Sequence, residues 1–267
     1  MLDGKGPPPI VNTDMIKLTR REFATGLLGS IATSALVSSL VDAQSLTGSV
    51  KPIAHKWLFE MQEICKDERG SKIKVTQWQD QIETLLNRVD LADLLKAIDY
   101  DRLAKSTTLY SNHETAEDIT FSRIKGLPEE LAFAPYFYGM KKGAAIVPHG
   151  HQNMTTMHMM LKGEARGRHF DRVSDEPGHL IIKPTKDKTL SVGDVSTISS
   201  ERDNIHWFRA LSEPVFMFNI GVYGLDPKAE TTGRDYIDPV RGERLADGTI
   251  RVTRIDSKSA YKIYGGS

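Results

Sequence analysis

Cysteine is almost missing from this chain. With Cys65 as the one thiol in 267 residues, no intrachain disulfide framework, CxxC redox pair or paired-cysteine zinc finger is possible. Net charge is missing too. The 35 basic and 35 acidic side chains cancel, so nothing in the overall charge points to nucleic acid or a membrane surface as a partner. No Gly-rich phosphate loop follows a strand and no Gly-x-Ser-x-Gly elbow occurs, which removes P-loop and serine-elbow chemistry. What is present is a 39% share of hydrophobic residues, suited to an ordinary globular core rather than to disorder or several membrane spans.

The first 18 residues are rich in Gly, Pro and Asp and have no periodicity. Thr19-Arg20-Arg21-Glu22-Phe23 follows, then a mildly apolar run from Ala24 to Val41 that ends in Val41-Asp42-Ala43. A basic region, an apolar region and small residues before a cut site are the parts of a secretory signal. The arginine pair resembles a bacterial twin-arginine signal, which places the signal peptide at 1–43 with cleavage after Ala43. That resemblance implies a periplasmic or secreted protein, with the twin-arginine translocation machinery as a transient partner. It also implies export in the folded state, so that a metal could be loaded first. The run is too polar to favour a stable membrane span, and none is expected after cleavage.

From about Pro52 to Leu109 the pattern is helical. Trp57, Leu58, Met61 and Ile64 recur at three- and four-residue spacing, as do Trp78, Ile82, Leu85 and Leu86, and Leu91, Leu94, Leu95 and Ile98 extend the stripe into a third helix. These stripes, with Cys65 among them, read as core. After Ser111 short runs rich in Val, Ile, Phe and Tyr alternate with turns: 132–140, 144–147, 155–161, 165–170, 179–182, 191–198 and 215–222. Many short strands with regular turns indicate a barrel or sandwich. The expected organisation is a helical segment at 44–111, a barrel at 112–225, and a C-terminal extension at 226–267 holding a short hairpin packed on the barrel.

The segment that carries chemistry is Gly143 to Gly163, with Pro148-His149-Gly150-His151 at its centre. Two histidines two apart on a strand present both imidazoles to one face. Imidazole suits iron, zinc, copper and nickel, so such a pair is a start for a metal site. A later stretch, Asn204-Ile205-His206-Trp207-Phe208, supplies another histidine among apolar neighbours, where an unpaired ring would be costly.

The first segment resembles the first motif of the cupin superfamily, with Thr156 where that motif has an acid, and the second stretch resembles the second cupin motif. The details around His149-Gly150-His151, Met154-Thr155, Asp171 and Asn204-Ile205-His206 resemble the thiol dioxygenases, the group of 2-aminoethanethiol dioxygenase and the plant cysteine oxidases. That resemblance, over roughly residues 50–225, implies a mainly β fold, a double-stranded β-helix (jelly-roll) barrel after a short α-helical segment. It also implies iron(II) held by His149, His151 and His206, with manganese, nickel, copper or zinc as alternatives, and dioxygen plus a small-molecule substrate as partners. Asn219 stands where that group places an acid near the iron. Without an acidic ligand at 156, three neutral imidazoles leave the metal charge uncompensated and favour an anionic ligand such as a thiolate.

Around these ligands, His158 shares the face of Thr156. It is a candidate for orienting substrate, for replacing a ligand, or simply for core. Thr156 is a candidate to line the site, Tyr223 and Tyr138 to act as acids or hydrogen-bond donors near the metal, and His169 to support the ligands or sit at the surface. Arg166, Arg168 and Arg172 could bind a carboxylate. The Met154, Met157, Met159 and Met160 cluster reads as packing. The functional expectation is a non-haem iron dioxygenase. Its competitors are a cupin using another metal for a different reaction and a non-catalytic periplasmic ligand-binding protein.

Overall fold

The computed structural model describes residues 55–229 and 233–266, so the expected signal at 1–43 lies outside the described residues. Four helices come first: α1 (Lys56–Arg69), α2 (Val75–Leu86), α3 (Leu91–Ala97) and α4 (Tyr100–Ser106). The apolar stripes behave as read, with Trp57, Leu58, Met61 and Cys65 of α1 and Trp78, Ile82, Leu85 and Leu86 of α2 all buried. The Cys65 sulfur takes the Trp78 indole N–H at 3.5 Å, and burial pushes its thiol up to about 12, which leaves it an inert packing group. The third expected helix is in fact two. Asp99 between them has φ 59°, a left-handed geometry that ends one helix and turns the chain into the next. Among the described residues, no helix is long and apolar enough to cross a membrane.

Eleven strands follow among the described residues: β1 (Thr115–Asp118), β2 (Ala134–Met140), β3 (Ala145–Gly150), β4 (Met154–Lys162), β5 (Ala165–Glu176), β6 (His179–Leu190), β7 (Val195–Ile198), β8 (Ile205–Ala210), β9 (Val215–Tyr223), β10 (Asp235–Arg244) and β11 (Ile250–Arg254). A last helix, α5 (Ser257–Tyr264), closes the chain. The molecule is mainly β, a closed antiparallel barrel preceded by a short helical segment, the class expected from the sequence. Strands β10-β11-β6-β5-β8-β3 form the closed ring, and β1-β2-β9-β4-β7 form a second sheet. The stretch beyond residue 226 supplies two strands of the ring itself, because β10 pairs with β3 and β11 pairs with β6.

Two apolar layers fix the position of the inner face. Met140, Met160 and Met217 of the second sheet meet Ile146, Leu190 and Phe208 of the ring. On the other side of that sheet, Met157, Met159, Phe216, Phe218 and Ile220 pack under the helices. The strand period then dictates where the polar residues point. On β4, Thr156 and His158 share the side of Met160; on β9, Asn219 shares the side of Met217. Burying both faces of β4 and β9 replaces the polar–apolar alternation with an almost continuous apolar run.

Candidate metal centre

His149 and His206 are directly opposed on β3 and β8, so their side chains leave neighbouring strands at the same level. Their rings lie 4.2 Å apart, centroid to centroid. His151 stands one residue past the end of β3, half-buried, and its ring is 4.6 Å from His149 and 5.4 Å from His206. One ring nitrogen from each of the three lies within 4.8 Å of the others, an arrangement that could hold one cation. Gly150 makes the hairpin end possible, since a Cβ there would come within 2.8 Å of the Asn204 side-chain oxygen. Asn204 in turn donates its amide to the His151 carbonyl at 2.7 Å and to the Ser199 carbonyl at 3.1 Å. The two motifs are therefore tied to each other by a buried amide as well as by a strand pair.

The donor chemistry fits a metal. His149 places Nδ1 2.7 Å from the Val147 carbonyl, which as a donor N–H leaves Nε2 as the ring's lone pair. His206 buries an Nδ1 with no hydrogen-bond partner among the described residues, a group that ordinarily finds one. Burial drives all three imidazoles toward the neutral, metal-binding form. His149 and His206 fall well below the ordinary histidine range and His151 to about 3, with the positive charge of Arg234 adding to the effect at His149 and His151.

The remaining expected residues are placed as follows. His158 stands on the facing sheet with its ring 5.4 Å from His206, 5.8 Å from Tyr138 and 4.9 Å from Phe208, and burial lowers it to about 3. Thr156 shares that face, but its hydroxyl donates to the Ile220 carbonyl at 2.9 Å and accepts from Asn219 at 2.8 Å. Asn219 also donates to the Met157 carbonyl at 2.7 Å, so its amide knits β9 to β4. Tyr223, at the end of β9, is 38% exposed, and burial raises its phenol. His169 is buried rather than superficial: it pairs with His206 across β5 and β8, bonds Ser196 Oγ at 2.9 Å, and is held by burial at about 4. Arg166 and Arg168 are held together by Asp187, while Arg172 is held by Asp175 and Asp235.

Two contributors escape the sequence reading. Arg234, just before β10, donates to Glu114 at 2.5 Å and Tyr261 at 2.8 Å, and its charge acts on Tyr138. Nothing in its spacing announces it; only the closure of the ring by β10 brings it near the histidines. Glu68 at the end of α1 is 3% exposed, with one oxygen accepting from Thr155 at 2.9 Å and the other unpartnered. It lines a cavity of about 830 Å³ that also reaches His151 and Asn204.

No family model matches the chain, and no curated protein does. Solved structures similar to it include an oxalate oxidase in complex with glycolate, at 13% identity and TM-score 0.33 over 48% of this chain and 56% of that one. A cupin superfamily protein from Desulfitobacterium hafniense is similar at 14% identity and TM-score 0.30, covering 45% of this chain and 87% of that one. The 11S globulin of Wrightia tinctoria is similar at 14% identity and TM-score 0.29 over 38% of this chain, which spans only 22% of the globulin's length.

Proposed function

We propose that this chain is a metal-dependent cupin oxidoreductase, a non-haem iron(II) dioxygenase acting on a small thiol or a similar anionic small molecule. In this reading His149, His151 and His206 are the ligands. The observation that carries it is the three neutral, buried or half-buried imidazoles whose ligand nitrogens fit within 4.8 Å of one another. Three neutral donors bring no negative charge to the centre, so the set favours a ligand that does, such as a thiolate. Iron(II), when bound, supplies the redox chemistry by which dioxygen adds to a thiol and yields a sulfinate.

The rest is work for the chain's own residues. The Val147 carbonyl holds His149 in one tautomer, and Asn204 fixes the turn that carries His151. His158 and Phe208 wall the side away from solvent, which keeps water from the reacting end. Substrate enters from the His151 side, through the cavity shared with Glu68 and Asn204. His158 orients the substrate, Thr156 shapes the wall through its bonds to β9, and Tyr223 with Tyr136 lines the open end of the same face. Export by the twin-arginine route to the periplasm, with release of 1–43, belongs to the same reading.

The test is a metal inventory of protein purified from its own host, followed by anaerobic loading with iron(II) and exposure to oxygen with a panel of small thiols. Stoichiometric iron and thiol-dependent oxygen uptake are expected, both lost in His149→Ala. A different metal at full stoichiometry, or iron-loaded protein that oxidises no thiol, sinks the reading.

A further inference from the structure

The outer wall of the barrel carries a feature that the metal centre does not use. On β8 the side chains alternate, so His206 and Phe208 face inward while Trp207 and Arg209 face outward. Opposite them on β5, Arg166 pairs with Arg209 and Arg168 pairs with Trp207. Like charges set directly across two strands repel, and such a pair survives where something compensates it. The compensation within the described residues is one carboxylate. Asp187 accepts from Nε of Arg166 at 2.5 Å and from Nε of Arg168 at 3.2 Å, and its side chain is half exposed. Three guanidinium groups therefore face one acid.

The three arginines and Trp207, with Ile263 and Tyr264 of α5, line a cavity of about 340 Å³. Its polar lining is almost all donors. Arg209 Nη2 donates to the Tyr264 carbonyl at 3.1 Å, but its Nε is buried without an acceptor. Trp207 is 7% exposed, and its indole N–H is likewise buried without an acceptor. Arg166 and Arg168 keep 40% and 37% of their side chains exposed, so their forks are open to a ligand from solvent. Arginine and tryptophan side chains can only donate, so a ligand that completes this wall is an acceptor, and the excess of guanidinium over carboxylate favours an anionic one. Arg168 stacks on the Trp207 ring at 4.5 Å, which fixes the plane of its fork and lowers the entropy of recognising a flat or tetrahedral oxyanion.

We propose that this cavity is a second ligand site, separate from the three histidines, that takes a phosphate-type oxyanion, free or as the end group of a small molecule. The arginine forks hold the oxygens. Trp207, Ile263 and Tyr264 offer apolar surface to any organic body attached.

Calorimetry on the full chain at low ionic strength tests this, with inorganic phosphate in one arm and phenyl phosphate in the other. Saturable binding of one equivalent is expected in at least one arm. Tighter binding of phenyl phosphate identifies an end group as the natural ligand, and equal or weaker binding identifies the free anion; either outcome supports the site. Arg166→Gln with Arg168→Gln is expected to weaken binding about tenfold or more. The Lys141→Gln, Lys142→Gln pair makes the same charge change on a turn elsewhere and is expected to leave binding within about twofold. Arg166→Lys with Arg168→Lys keeps the charge, loses the fork and is expected to fall between the two. No saturable binding up to about 10 mM in either arm overturns the proposal. So does an equal loss in the arginine and lysine pairs.

Discussion

Glu68 is a carboxyl in the wrong solvent. It is buried at the end of α1, and desolvation raises it to about 8 against the hydrogen bond from Thr155. A raised folded value means that folding favours the protonated acid. The associated stability is complete below the ordinary glutamate range and is lost as pH rises through about 8. Glu68→Gln keeps a hydrogen-bonding amide and removes the ionisation. The variant should match the parent near pH 5 and exceed it by several kcal/mol, roughly 1.4 per pH unit, as pH climbs to 8. Urea midpoints measured across that range check it, and a constant difference between the two proteins refutes it. Arg234 poses the opposite problem, because its partner Glu114 has a side chain only 6% exposed. Arg234→Met strands that acid and is expected to cost about 2–4 kcal/mol, less than for a fully buried pair because Arg234 itself is a quarter exposed. Adding Glu114→Leu should restore much of the loss, as read from denaturant unfolding of the single and double variants.

At the level of elements, α1 and α2 cover the outer face of the second sheet, α1 against β9 and α2 against β7 and β4. Trp57 of α1 meets Phe218 edge-on at 6.3 Å, and Phe218 is fully buried between the helices and the sheet. Phe218→Ala is therefore expected to cost about 3–5 kcal/mol, measured by chemical denaturation. Asn219 is the neighbour whose amide joins β9 to β4, so the same variant should also speed amide exchange along those two strands. The helical stripes were legible because each keeps one wet face, and the 3.6-residue period survives in the sequence. The β5–β6 hairpin was only half legible. It continues to Glu176 and from His179 to Leu190, well past the apolar starts at 165–170 and 179–182, because the second half of each strand is mostly exposed, with Arg172 and Asp175 on β5 and Lys183 and Lys186 on β6. β1 was missed altogether: Thr115–Asp118 is a short polar edge with no inward apolar set. The three histidines were legible because strand period and motif spacing are local facts. Arg234, Glu68 and the burial of His169 were not, because each depends on partners 87 or more residues away or on which strand lies next in the ring.

On the scale of the whole molecule, the ring is finished by its last two strands. Truncation after Leu225 removes β10 and β11, leaving β3 and β6 with bare edges and exposing Leu180, Ile182 and Ile205, which pack with Ile237, Ile250 and Val252. The truncated chain is expected to lack a cooperative unfolding transition, followed by circular dichroism and near-ultraviolet signal together. A sharp transition with native-like signal shows that the barrel stands without its C-terminal strands.

The closure of β10 on β3 also has a consequence in time. Asp235 and Tyr236 pair with Gly150 and His149, so the strand bearing the first ligand has an open edge until residues some 85 positions later have been made. During synthesis the three histidines are all present well before their cage is complete. A cation captured early would meet loose, solvated imidazoles, whereas one captured after closure meets a walled and desolvated set. Under the proposed function, selectivity among cations is thus acquired only once β10 has closed on β3.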